Sequence, residues 1–371
     1  MSSTASSLFP SIDLSNLVTL VTYGIFFVFI MYGQRIQFYV AETSVKGSLR
    51  KLVAMKETSV KQTTEYFLGV TKNSQGVSER LSQFLEYVTI PPVSMDPSGL
   101  VNKLEHVTKT GEERVRSEVQ TLLGTDDPLK VSVATNLVEI SSTLNIIHKV
   151  VRHYYLTSKK TNSFIAIFQL QMVLPQIMEM AGALSKATDT FKMAQPIGDG
   201  VGPLLASRLI NGAPTQKIAK DTVMAKTEYN GRTLYVMKAE GPMGWVGEPH
   251  VGLQRLVEEM SVPLDLIVMV DAAQKFEGEQ SGEIAQGVGA AIGGLGVEKF
   301  DIEEISARHH IPVYAILIKQ GDVETLTAMR KELGDAVDKA VPMVKHLIDE
   351  RTKEGDKVLV AGIGNTLGIG Q

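Results

Sequence analysis

The residues of this chain best placed for chemistry stand where apolar runs end. Leu266–Val270 is a continuous apolar run that stops at Asp271, and Val358–Ala361 is another that stops at Gly362-Ile363-Gly364-Asn365. Val313–Ile318 is a third. Short buried runs alternating with helical patterns indicate a mainly parallel sheet covered on both faces. Ligands of such sheets bind beyond the carboxyl ends of the strands. A site is therefore expected at Asp271 and at the 362–365 loop. Asp199, in Gly198-Asp199-Gly200-Val201-Gly202, opens a helical pattern, where a carboxylate can accept backbone N–H bonds. Trp245, the only tryptophan, sits in a Gly/Pro-rich stretch before His250 and either lines a cleft or simply packs.

Other chemistries are excluded or weakly signalled. The chain has no cysteine, which removes disulfides, thiolate zinc sites, iron–sulfur clusters and a cysteine nucleophile. With 37 basic and 41 acidic side chains the net charge is −4, so no nucleic acid is expected as a partner. His148 and His153 are five residues apart and miss the i,i+4 register of a helical metal pair; with His106 they read as surface or capping residues. Gly362-Ile-Gly364 with Gly368, and Gly287-Val-Gly289 with Gly293, look loosely like dinucleotide loops. The first lacks a following helix before Gln371, and the second reads as a small-residue helix face.

The elements that must position these residues fall into two regions. Of 32 glycines, 9 lie in residues 1–197 and 23 in 198–371. In the glycine-rich half, Thr222–Tyr229, Asn230-Gly231 and Arg232–Ala239 predict a hairpin, because Asn-Gly supplies the positive φ of a type I′ turn. Helical patterns cover Leu204–Ile210, His250–Met260, Ile284–Ile292, Ile302–His310 and Val323–Glu350. Residues 36–195 lack strand alternation and read as helices, with breakers at Pro91-Pro92, Pro97, Gly99 and Gly124–Pro128. Leu100–Leu123 and Leu129–Leu156 show helical spacing, with Asp126 or Asp127 before Pro128 as a helix start.

Leu14–Gln34 carries no charge and is long enough to span a bilayer as a helix. No Lys or Arg precedes it, whereas Arg35, Lys46, Arg50, Lys51 and Lys56 follow. That asymmetry predicts an uncleaved single-pass anchor with residues 1–13 outside the cell membrane and the bulk of the chain cytoplasmic. A second uncharged stretch, 161–178, is short and polar for a span and contains Pro175; it reads as a buried or partner-facing helix.

Three segments carry a resemblance. Pro196-Ile-Gly-Asp199-Gly-Val-Gly202-Pro203 resembles the Asp-Gly-Val-Gly segment that opens the first helix of hydrogenase-maturation endopeptidases. Leu266–Asp271-Ala272, followed by Gly278-Glu-Gln-Ser-Gly282, is similar to their strand ending in Asp-Ala before a Gly-Glu-x-x-Gly turn. Val358–Leu367 resembles their first strand and its Gly-x-Gly-Asn-x-Leu loop, but here it comes last. The resemblance implies a circular permutation, with the 365 loop and the Asp199 loop close in space. It implies a divalent metal, zinc or nickel, held by Asp199, Asp271 and a histidine. His310 is the nearest candidate and His250 a substitute. The expected ligand position falls near 293–296, where this chain has no histidine. Gly200, Gly202, Trp245, His250, Gly362, Gly364 and Asn365 would form the cleft loops. As a whole, the chain resembles an uncharacterised archaeal membrane-protein family known as domain of unknown function 1512.

These readings together predict a short N-terminus (1–13), one N-terminal transmembrane helix (14–34), an all-α middle region (35–195) and a C-terminal α/β three-layer domain with a mainly parallel sheet (196–371). The expected role is a membrane scaffold or assembly protein, its helices forming a homo-oligomer or holding a protein partner at the lipid bilayer. The alternative is a membrane-tethered, metal-dependent hydrolase or peptidase acting on a protein substrate through Asp199 and Asp271.

Overall fold

A computed structural model describes residues 14–71, 75–87, 100–293 and 296–371. The N-terminal tail 1–13 and the breakers Pro91, Pro92, Pro97 and Gly99 lie outside the described residues. Five helices come first: α1 (Leu14–Val70), α2 (Val77–Phe84), α3 (Leu100–Leu123), α4 (Pro128–Thr161) and α5 (Phe164–Lys192). Then follow α6 (Val201–Ile210), β1 (Thr215–Ala219), β2 (Thr222–Tyr229), β3 (Arg232–Ala239), α7 (Pro249–Gln254), β4 (Leu266–Gln274), β5 (Ile284–Val288), α8 (Val297–Arg308), β6 (Val313–Gln320), α9 (Asp322–Leu326), α10 (Lys331–Arg351) and β7 (Lys357–Gly362).

The chain divides into two compact units. The first comprises the chain up to Val53 with His148–Met178. Its inner face buries Ala41, Val45, Leu52, Val151 and Ile167, while Leu17, Leu20, Phe26, Phe27, Phe168 and Met172 stay exposed. Among the described residues one helix, α5, is long and apolar enough to cross a membrane, and only 22% of its most apolar window is buried. Within α1 the corresponding apolar stretch is the shorter Leu17–Val28. Among the described residues the helix that meets this test is thus not the N-terminal one expected, and α5 is largely exposed rather than buried along that window. Pro175 is absorbed within α5 without ending it, so the apolar residues on both sides of it belong to one continuous rod.

The second unit comprises Ala54–Ile147 and Glu179–Gln371. Its helical part packs Phe67, Leu81, Val119, Leu123 and Val138 around one small core. Asp127 caps α4, its Oδ1 accepting from Leu129 N (3.1 Å) and Lys130 N (3.4 Å), with Pro128 at the first helical position. Asp127→Ala is expected to cost about 1 kcal/mol, the usual worth of such a cap; thermal or denaturant unfolding measures it.

The sheet has the order β1-β2-β3-β7-β4-β6-β5. It is mixed. β3, β7, β4 and β6 are parallel in the centre, while β1–β2, β2–β3 and β5–β6 pair antiparallel. This corrects the expectation of a mainly parallel sheet. Residues 284–292, expected to be helical, supply edge strand β5, with Ile284 opposite Ile318 and Val288 opposite Tyr314. Gly289 at φ 108° is incompatible with a helix, and so short a segment takes its state from the neighbour that can pair with it. β1 has a polar edge-strand pattern that periodicity did not reveal. The hairpin forms as expected: Asn230 (φ 46°) and Gly231 (φ 73°) turn between Tyr229 and Arg232.

Alternation along the central strands covers both faces. Val358, Val360, Leu266, Val268 and Val270 face α6 and α10. Leu359, Ala361, Ile267 and Met269 face α7 and α8. Each such fully buried Val, Leu, Ile or Met side chain contributes roughly 1.5–3 kcal/mol. α7 continues as a widened turn in which Met260 N donates to Arg255 O at 2.8 Å. The long helix expected over 323–350 is broken between α9 and α10. There Gly198 N donates to Thr327 O (3.1 Å) and Met329 N to Pro196 O (2.7 Å). That short ladder fixes the segment leading into Asp199.

Candidate active site at the strand ends

β7 lies between β3 and β4, with Val358 opposite Leu266 and Gly362 opposite Val270. The C-terminal strand is therefore central. Its loop meets the Asp199 loop directly: Asn365 N donates to Asp199 Oδ2 at 2.8 Å. Both juxtapositions expected of a permuted order are present.

Glycine permits the approach. A Cβ on Gly202 would stand 2.2 Å from Ile363 O and 2.3 Å from Val270 O, and one on Gly364 would stand 2.0 Å from Asp199 O. Gly364 also has φ 124°, a conformation reserved for glycine. The first turn of α6 thus lies flat against the ends of β4 and β7, and a Cβ on Gly362 would likewise stand 2.3 Å from Gly202 O. Asp199 is carried over these strand ends by that turn.

Asp271, in the exposed-end half of β4, is only 7% exposed. Ala272 N donates to its Oδ1 at 2.7 Å. Burial, reinforced by the charge of Asp199, pushes its carboxyl up to about 8. Burial also raises Asp199, opposed by the bond from Asn365 N. The charge of one carboxyl disfavours ionisation of the other. One further group was not anticipated. Lys238, 2% exposed at the end of β3, sits in register with Gly362, and burial lowers its ammonium to about 8. Its only sequence signal is a single charge inside the apolar run Leu234–Ala239.

The remaining expected residues divide. Asn365 Nδ2 donates to Gly244 O (3.2 Å), while Thr366 Oγ1 donates to Met243 O (2.6 Å). From α4, Ser132 Oγ accepts from Gly244 N (2.8 Å), and Asn136 Nδ2 donates to Gly244 O (3.3 Å). The 240–248 loop is thus clamped between the C-terminal loop and the helical region. Trp245 lies under the Arg116 guanidinium, 4.2 Å from its ring centroid, and Arg116 itself pairs with Asp221 at 2.6 Å. It packs against the helical region. His310 is exposed with φ 55° in the turn before β6. Since Val313 pairs with Ile267 and Leu317 with Asp271, His310 lies at the opposite end of the strands from Asp271. His250 is buried in α7, beside Glu105. Neither joins the aspartates, and Gly294 and Leu295 lie outside the described residues. For zinc or nickel the fit is partial: two oxygen ligands converge, each already accepting a backbone N–H, and among the described residues no histidine completes them.

Two family models match the chain. Residues 19–194 match one described as the N-terminal domain of a protein of unknown function (DUF1512), and residues 197–370 match its C-terminal domain. No curated protein and no solved structure matches.

Proposed function

We propose that this chain, which belongs to the DUF1512 family through both of its domains, is a membrane-anchored scaffold whose α/β domain serves assembly and not turnover. In this reading the apolar stretch of α1 crosses the bilayer once and α5 enters it without crossing. Arg35, Lys46, Arg50, Lys51 and Lys56 follow that stretch, so the α/β domain faces the cytoplasm. The helical region is the surface for a protein partner or a second copy.

One observation carries the scaffold reading. The loop at the strand ends, where an α/β domain ordinarily takes its ligand, is tied to the rest of the chain: Asn365, Thr366, Ser132 and Asn136 all bond the 240–248 loop. Such cross-bracing between the C-terminal loop and the helical region supports a role in assembly.

Full-length chain in nanodiscs, supplied with zinc, nickel or manganese, tests this. Peptide and ester hydrolysis no faster than that of Asp271→Asn is the expected result. Turnover abolished by Asp199→Asn and Asp271→Asn would establish the other reading, a metal-dependent, membrane-tethered hydrolase. That reading draws support from the convergence of the two carboxyls. The membrane part is tested by detergent-phase partitioning; recovery in the aqueous phase would sink it.

A further inference from the structure

We propose that Glu105, His250 and Asp301 form a site for one divalent transition-metal ion, zinc being the reference case, that staples the helical region to the α/β domain. The proposal stands on its own geometry, independent of the function proposed above. The three residues come from α3, α7 and α8, and one ligand atom from each lies within 4.8 Å of the others. α3 packs on α8, and α8 on α7.

The imidazole is the telling group. His250 is 5% exposed, and neither ring nitrogen has a hydrogen-bond partner. Its Nε2 lies 3.5 Å from Glu105 Oε1, near enough for attraction but without a hydrogen bond. Buried polar atoms are nearly always satisfied, and one that is not calls for an ion or a water. A tetrahedral ion with ligands at about 2.0–2.2 Å places them roughly 3.4 Å apart. Small side-chain rotations bring this trio to that spacing and leave a fourth position for water.

The charge balance points the same way. Lys109 stands 2.7 Å from Glu105 and 3.3 Å from Glu248. Asp301 also has Glu298 and Glu304 nearby, the latter paired with Arg308 at 3.0 Å. A divalent ion relieves both the excess negative charge and the unpaired imidazole. One nitrogen and two oxygens suit a first-row transition metal better than magnesium or calcium, which prefer all-oxygen shells.

Full-length chain in detergent, stripped with a chelator, is titrated with Zn²⁺ and with Co²⁺. One equivalent should bind. Cobalt should show ligand-field bands of a nitrogen–oxygen site, and saturating zinc should raise the melting temperature by several degrees. Asp301→Asn and His250→Gln should each weaken binding at least about tenfold, and Asp271→Asn should leave it unchanged. Asp301 is partly exposed on α8, so its variant stays informative where loss of buried His250 impairs folding. No stoichiometric binding by the wild type, or binding unmoved by Asp301→Asn, overturns the proposal. So does binding lost in Asp271→Asn, which would instead place the metal at the strand ends.

Discussion

Gly202→Ala is expected to destabilise the second unit by about 3–5 kcal/mol, at the upper end of what overpacking costs. The added methyl would stand 2.2 Å from Ile363 O and 2.3 Å from Val270 O. Both atoms are backbone, on the two strands that carry the site, so no side-chain rotation relieves the clash. Either α6 lifts from the sheet or β4 and β7 separate, and both break the Asp199–Asn365 contact. Gly334→Ala is the control. It lies in α10 with nothing within 4 Å of its Cβ position, and the helix-propensity gain there is about 0.5–1 kcal/mol. Unfolding of the two variants in urea compares them. A Gly202→Ala protein as stable as the wild type would contradict the close approach on which the site depends.

Asp271→Asn is expected to leave stability near neutral at pH 5 and to raise it at pH 8. The sign follows from proton linkage. Burial and Asp199 hold the Asp271 carboxyl at about 8 in the native state, against about 3.9 in an unfolded chain. Between those values the folded protein retains a proton that the unfolded chain has released. Stability is therefore fully present at low pH and falls as pH rises through this window, by at most about 1.4 kcal/mol per pH unit. Asparagine resembles the protonated carboxyl, keeps an oxygen for Ala272 N, and removes the pH-dependent loss. Denaturant melts of both proteins at pH 5, 6.5 and 8 should diverge progressively. If Asp271→Asn is less stable than the wild type at pH 8, and only with metal present, the aspartates hold a cation.

Much of the site was legible because its signals are local. The apolar run before Gly362–Asn365 marked a strand end and the Asn-Gly dipeptide marked the hairpin, whereas the run before Asp271 marked a strand that continues past it to Gln274. Lys238, Glu105 and Asp301 were not legible. A charge inside a strand or on a helix carries no mark of what will cover it. The apolar character of α5 was underrated for a related reason. Counting charges favoured 14–34 and penalised the polar start of 161–178. The helix that forms begins only at Phe164 and runs on to Lys192, which moves the polar residues to its edge.

Sequence alone determined the two-part organisation, the central buried strands and the glycines that let loops meet. These follow from periodicity and from conformations only glycine adopts. Tertiary structure decided the rest. Edge pairing made β5 a strand and the sheet mixed, because unpaired backbone groups on β6 outweigh the preference of a short segment. Packing brought Asp199 to Asp271, left His310 at the far end of the strands, and placed His250 between two acids. Proximity between residues distant in the chain is a property of the folded core, and no spacing along the sequence encodes it.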